Sequence, residues 1–392
     1  MMKRALWSLM LMFGLSVTTV FGQDDEGFDP GEFTVGGYFQ FLENVWLQPN
    51  TEKLSTMGTL NNRLDVNWNK GSFSAQLGTR NILNYGGMVH DFYPYLTNLA
   101  TQDYGYFDLT EKWAGDSSYF FYTNVDRAHL SFTHKNLEIT AGRQRINWGT
   151  NLVWNPNDIF NTFNYFDFDY AERPGCDALR VQYYTGMTSS AQVAWKVDSD
   201  DKHTIAGMYR FNKWSYDFQF LGGVMGGDMV LGAGWSGQIE GAGFNGEITW
   251  FHPYENFSDH KSTVVGSAGA NYTFSNSLYI HASAIYNSDG TTGKAFLGNF
   301  VTGNRDISAK TLTPARMELF AEAAYQISPL IRGNVAGIVN PYDGSAFAGP
   351  SVDISLTQNL GLLLLGQLFF GETRTEYGDY GQLLYARLKW NF

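Results

Sequence analysis

The chain predicts an all-β fold: a transmembrane, antiparallel, up-and-down β-barrel of about 18 strands, with 16 the alternative count, short periplasmic turns and long extracellular loops. Three observations carry this. Apolar and polar residues alternate with period two along most of the chain, short and long connections alternate, and the final strand ends on Phe392. Composition agrees, because 392 residues with 43 Gly, 16% aromatics and only 16% charged residues suit neither a disordered chain nor a helical enzyme rich in Ala, Glu, Lys and Leu. The 38 acids outnumber the 26 bases and no basic block occurs, which argues against nucleic acid as a partner. The single cysteine, Cys176, excludes an intrachain disulfide framework and a cysteine metal cluster.

The first element is an address. Lys3 and Arg4 precede an apolar run from Ala5 to about Val17, and Val20-Phe21-Gly22 leads into Gln23-Asp24-Asp25-Glu26. Residues 1–22 therefore read as a signal peptide cut near Gly22, leaving 23–392 as the barrel. No lipobox cysteine follows, and no later stretch approaches the roughly 20 apolar residues of a membrane-spanning helix.

The strands follow in order. Leu60, Leu64, Val66 and Trp68 alternate with Asn61, Arg63, Asp65 and Asn67, so the two sets face opposite ways in an extended chain. After the turn Asn69-Lys70-Gly71, Phe73, Ala75 and Leu77 answer them against Ser74 and Gln76. The same pattern marks segments 33–46, 57–69, 72–82, 119–134, 137–147, 177–185, 189–198, 203–211 and 214–222. It continues through 228–238, 241–252, 262–274, 277–287, 315–327, 330–340, 345–356, 360–370 and 380–392. Tight links such as Lys135-Asn136, Ser275-Asn276 and Ser328-Pro329 alternate with 83–118, 148–176 and 288–314. Trp68, Phe73, Phe132, Phe211, Trp214, Tyr272, Phe274, Tyr325 and Trp390 lie beside the short turns or the chain end, as an interfacial girdle would. A propeller or β-helix would show a fixed internal repeat, and none is present.

A barrel of this size encloses an aqueous lumen. By parity the lumenal face carries Arg63, Arg80, Arg127, Arg180, Lys196, Arg332, Arg387 and Lys389, with Asp65, Glu247, Glu318, Glu322 and Asp353. One segment conflicts. Strict alternation from Leu137, Ile139 and Ala141 would turn Arg143 and Arg145 toward lipid, at roughly 2–4 kcal/mol each near the midplane. A bulge at Gly142 is the expected remedy, turning both arginines inward.

The connection that follows, 149–175, is too apolar to lie freely in water and is expected to fold into the lumen. Its Asp158, Asp167, Asp169 and Glu172 would then face Arg63, Arg80, Arg127, Arg143, Arg145 and Arg180 and narrow the pore. Two roles stay open for these ten residues, pinning the loop and selecting the solute. The aromatic segment 84–118, with Tyr85, Tyr93, Tyr95, Tyr104, Tyr106, Phe107 and Trp113, reads as a packed extracellular lid or a stacking surface for sugars.

Leu384, Ala386, Leu388, Trp390 and Phe392 give the last strand one apolar face and a terminal Phe. This resembles the signal of Gram-negative outer-membrane barrels, and the resemblance implies outer-membrane localisation, contact with lipid and lipopolysaccharide, and recognition by the barrel assembly machinery through the strand ending at Phe392. The Gly-Arg-Gln, Trp-Gly, Pro-Asn-Asp and Arg-Pro-Gly elements of 142–175 look like a segment of porin-like and alginate-export-like families, which implies passage of small hydrophilic solutes.

Other chemistry is thinly supported. His129 and Ser131 share a face but lack a nucleophile elbow or third member, so a barrel hydrolase is the weakest class. No His-Glu-x-x-His spacing or cofactor fingerprint occurs, and Asp198, Asp200 and Asp201 read as a solvated loop. A channel, a closed barrel serving as scaffold in an envelope complex, and a barrel enzyme are the classes carried forward.

Overall fold

The alternation around Leu60 becomes β2 (Leu54–Lys70), paired with β1 (Glu32–Leu47) and, across the turn at Gly71, with β3 (Phe73–Tyr85). The structure, a computed structural model, describes residues 31–49, 51, 53–163, 165–170, 172–255, 257–296 and 307–392. The expected signal peptide, residues 1–22, lies outside the described residues. The sheet continues through β4 (Thr110–Gly115), β5 (Tyr119–His134), β6 (Leu137–Gln144), β7 (Cys176–Tyr184), β8 (Ser190–Val197), β9 (His203–Lys213), β10 (Tyr216–Met225) and β11 (Asp228–Ile239). It is completed by β12 (Ala242–Pro253), β13 (Thr263–Thr273), β14 (Leu278–Asn287), β15 (Met317–Ser328), β16 (Ile331–Val339), β17 (Ala346–Ser355), β18 (Leu360–Phe370) and β19 (Gln382–Asn391).

All ladders are antiparallel, and β1 closes on β19 from Tyr38–Asn391 to Leu47–Gln382. Phe392 seals the seam by exchanging backbone hydrogen bonds with Gly37 at 3.2 and 3.0 Å. Eighteen of the nineteen strands among the described residues form this closed wall, which removes the 16-strand alternative. Pairing of β1 with β19 removes the two edges that an open sheet would leave, the condition for strands to cross a bilayer. Leu60, Leu77, Leu130, Val193, Leu231, Val335 and Leu384 are exposed on the outside. Beside the short turns rings meet in pairs, Phe73 with Phe132 at 5.0 Å, Phe211 with Phe218 at 5.7 Å and Tyr272 with Phe274 at 4.8 Å. No helix among the described residues is long and apolar enough to cross a membrane.

The wall is uneven. β5 has 16 residues, whereas β6 and β8 have 8 each and β7 has 9. The lower part of β5, Ala128–His134, pairs with β6, and its upper part, Phe120–Asn124, pairs instead with β4. The loop before β5 thus supplies a short strand where β6 has stopped. Two short helices precede it, α1 (Gly87–Phe92) and α2 (Tyr95–Ala100). Val89 of α1 packs with Ile82, Phe120 and Tyr122, and Met88 belongs to the main apolar core with Trp46. Tyr93, Tyr95, Tyr104, Tyr106, Phe107 and Trp113 stay exposed. The rings expected to pack the lid together therefore mostly point outward.

The expected bulge is elsewhere. Pairing on both sides of β6 runs without a shift through Gly142, which takes φ 115° but adds no residue. The register shift lies in β5, where Gly78 faces Arg127 and Thr79 faces Val125, leaving Asp126 as the additional residue. Phe120 and Tyr122 face inward before it, and Arg127, His129 and Ser131 after it, so parity flips at Asp126.

A loop with two lobes inside a charged wall

The long connection after β6 folds back against the inner wall. Ile146 donates its N–H to Asn161 Oδ1 at 2.8 Å, and Asn161 Nδ2 donates to Pro174 O at 3.1 Å. The beginning, middle and end of the loop therefore meet at one asparagine, dividing it into lobes 146–161 and 162–175.

The first lobe lies along β8–β15. Trp148 donates from Nε1 to Gln192 on β8 at 2.9 Å, and its carbonyl accepts from Gln219 on β10 at 2.6 Å. Glu247 on β12 is the main anchor. Its carboxylate, 2% exposed with the rest of the side chain, accepts the backbone N–H groups of Thr150, Asn151 and Asn157 and the Thr150 hydroxyl. Asn157 adds bonds to Ala233 O at 3.1 Å and from Thr249 Oγ1 at 2.7 Å. Trp154 accepts at its carbonyl from Ser267 and sets its ring 6.3 Å from Phe320. A loop enclosed by a barrel must satisfy its backbone from the wall, and these side chains do so.

The second lobe crosses to the other side. Phe166 packs on Phe347 and Phe369 at 4.9 and 5.6 Å, and Phe168 on Tyr385 at 4.7 Å. Tyr170 stacks over the Arg80 guanidinium at 3.8 Å and donates its hydroxyl to Asp126 at 2.6 Å. Glu172 accepts from the Tyr38 hydroxyl at 3.3 Å, while Arg127 donates to the carbonyls of Glu172 and Arg173.

The ten expected site residues separate into groups. Arg63, Arg80 and Arg127 come together with Glu172 and the neighbouring Asp169 beneath the second lobe. Arg63 is held by Asp65 and Asp126, each at 2.7 Å. Arg180 pairs with Glu138 on β6, away from the loop. Asp158 is fully buried in the first lobe, where Trp148 N–H approaches Oδ1 at 3.4 Å, and burial pushes its carboxyl up to about 8. Asp167 is open to the lumen yet enclosed by the wall, and burial, with Asp169 close by, raises it to about 6. Arg145 lies past the end of β6.

Arg143 departs from the expectation. It sits in a row with Ala128 and Asp177, on the face of Ile139 and Ala141 and not on the face of Thr140. The charge is covered where it stands, with no bulge to turn it inward. Asp177 accepts from Nε and Nη2 at 2.9 and 2.8 Å, and Asp103 from Nη1 at 2.7 Å. The covering strip continues sideways, since Gly105 bridges to Asp198 and the Tyr104 carbonyl accepts Ser199 N–H at 3.2 Å. Burial opposes ionisation of Asp103, but Arg143 and the N–H groups of Gly105 and Leu109 hold it below the usual carboxylate range.

Sequence reasoning missed Asp103, Asp126, Asp177, Tyr38 and Tyr170. Asp126 had one visible signal: it adjoins Arg127, and two consecutive charges in a strand cannot share a face unless parity breaks between them. Cys176 is buried and free, and no group of three or more His, Cys, Asp or Glu suited to a metal ion occurs among the described residues.

Known structures share this architecture. OccAB2 of Acinetobacter baumannii superposes with TM-score 0.59 at 8% identity, over 92% of this chain and 98% of that one. The outer membrane protein OprD of Pseudomonas aeruginosa gives 0.57 at 8% identity over 91% and 93%, and the outer membrane protein opdK of the same organism 0.56 at 10% over 92% and 98%. At such identities the likeness establishes the fold: a closed antiparallel barrel of the porin type. No family model matches the sequence, and no curated protein does.

Proposed function

We propose that this chain is a Gram-negative outer-membrane channel, porin-like, that passes small hydrophilic solutes through a lumen narrowed by the loop 145–175. The observation that carries it is an eighteen-strand closed wall with a loop bound inside it. A wall of this size has room for an aqueous path where an eight-strand barrel is filled by its own side chains. Arg63, Arg80 and Arg127, with Asp169, Glu172 and Asp167, form the constriction on one side. The alginate-export-like reading of 142–175 rests on its short sequence elements alone.

The channel prefers anions. Arg210, Arg332, Arg387 and Lys389 stand on lumenal rows with no ion pair among the described residues, whereas of the four loop acids Asp158 is buried and Glu172 accepts from Tyr38. Local potential, not the net charge of −12, sets the preference. Lipid and lipopolysaccharide surround the apolar belt, and the strand ending at Phe392 is the segment offered to the assembly machinery. Neither a catalytic role nor a cofactor is assigned.

Single-channel recording in a planar bilayer under a salt gradient tests the proposal. Steady conductance with anion selectivity is the expected result. A folded, heat-modifiable barrel that conducts nothing would favour the competing reading, a closed scaffold. The observation behind that reading is the apolar core formed inside the wall by Trp148, Trp154, Phe160, Leu312, Phe347 and Tyr377.

A further inference from the structure

Four side chains on adjacent inner rows of β19, β1, β2 and β3 hold buried polar atoms that make no hydrogen bond: both amide atoms of Gln40, both of Asn61, Arg387 Nε and Arg80 Nε. Gln40 and Asn61 face each other directly across β1 and β2 and are 3% and 2% exposed. Arg387 is diagonal to Gln40, because it pairs with Leu42, and Arg80 is diagonal to Asn61, because it pairs with Arg63. Diagonal neighbours on one face lie roughly 7–8 Å apart. The six atoms thus lie on one diagonal band with the Gln40–Asn61 pair at its centre and a guanidinium toward each end, and the second lobe covers the Arg80 end through Tyr170 on Arg80 and Glu172 on Tyr38. A buried polar atom left without a partner loses its hydration and regains nothing, so six along one band form a costly feature for a wall to keep.

From this juxtaposition we infer a solute-binding subsite for a polyhydroxylated molecule of monosaccharide size, resting on the channel reading above. The balance of donors and acceptors selects the class. Four positions donate, the two guanidinium Nε–H groups and the two amide nitrogens, and two accept, the amide oxygens of Gln40 and Asn61. A simple carboxylate satisfies the donors and meets both carbonyl oxygens lone pair to lone pair. A hydroxyl both donates and accepts, and neighbouring hydroxyls on a sugar ring match an amide from both of its ends. The solute rests on the Gln40–Asn61 pair beside the second lobe, so occupancy obstructs the path.

The test titrates D-glucose, D-gluconate and acetate against the refolded full-length barrel in two ways, by block of single-channel current and by calorimetry of the detergent-solubilised protein. Glucose and gluconate should bind saturably in the millimolar range and block current, with acetate ineffective. Gln40→Leu and Asn61→Leu should each weaken sugar binding at least about tenfold while keeping heat-modifiability and ionic conductance. Acetate matching gluconate would overturn the inference in favour of a plain anion site. No sugar binding by either method, with both leucine variants simply more heat-resistant, would overturn it as well and mark the patch as imperfect packing. Sugar heat without any conductance would sink the channel reading and leave the subsite standing.

Discussion

Glu247 on β12 receives the backbone N–H of Asn157 at 2.9 Å, tying the wall to the Pro156 corner of the first lobe. The same carboxylate serves Thr150 and Asn151, so one side chain satisfies three backbone donors that the lumen would otherwise leave to chance. A hydrogen bond contributes about 0.5–1.5 kcal/mol net and a stranded buried donor costs about 1–3 kcal/mol. Glu247→Ala should release the first lobe, on the order of several kcal/mol of docking energy, without opening the barrel. Proteolysis reads this: new cleavage within 145–161 with an unchanged heat-modifiable band is expected. A lobe as resistant as the wild type would remove Glu247 from the role of anchor.

Arg143 and Arg127 separate wall from pore. Arg143 is 3% exposed and held between Asp103 and Asp177, themselves buried, on the outward row. Removing one member of a buried ionic group costs about 3–5 kcal/mol, because the partners keep their charge. Arg143→Ala should loosen the 101–115 strip and lower the temperature of barrel collapse while ion selectivity stays as it was. Arg127→Ala, beneath the second lobe, should shift the reversal potential toward cations. A selectivity change in the first variant larger than in the second would reverse this assignment.

These two arginines also show how far the sequence could be read. Period-two alternation places every wall strand, and it puts Glu247 and Arg63 inward correctly, because burial of one face fixes register over ten residues. Asp126 escapes it, since a bulge is decided by how β3 and β5 fit together and a single strand carries no record of that. Arg143 escapes for another reason. The alternation showed a charge on the outer face and suggested turning it inward, whereas the chain covers it with Asp103 from a loop some forty residues earlier. No periodicity announces that contact. The division of the loop after β6 at Asn161 depends on three segments meeting in space, which apolar content along the chain does not record.

Asp167 makes selectivity respond to pH. Its pKa, about 6 by burial and by Asp169, puts the change of charge between about pH 5 and 7. Rising pH deprotonates it and adds a negative charge facing the lumen, so anion preference should fall over that interval. Asp167→Asn should flatten the response and hold the preference of the acidic limb at every pH. Reversal potentials under a fixed salt gradient at pH 5, 6 and 7 check this, and an unchanged slope in the variant would assign the titration to another group.

Asp158 acts on stability instead, and in the same direction along the pH axis. Burial, with Glu247 nearby, raises its folded pKa to about 8, above the ordinary 3.8. The folded chain therefore holds a proton that the released loop gives up, and stability falls as pH rises between the two values. The contribution is complete below the lower value and is lost as pH climbs through the upper one. At neutral pH the carboxyl is protonated and the first lobe carries no net charge there; at high pH a buried anion must form or the lobe must open. Wild-type protein should become protease-sensitive within 145–161 on passing from pH 6 to pH 9.5. Asp158→Asn keeps the shape of the side chain without the ionisable proton, so its lobe should stay resistant across that range. Equal alkaline sensitivity in both proteins would mean that the lobe opens through a different group.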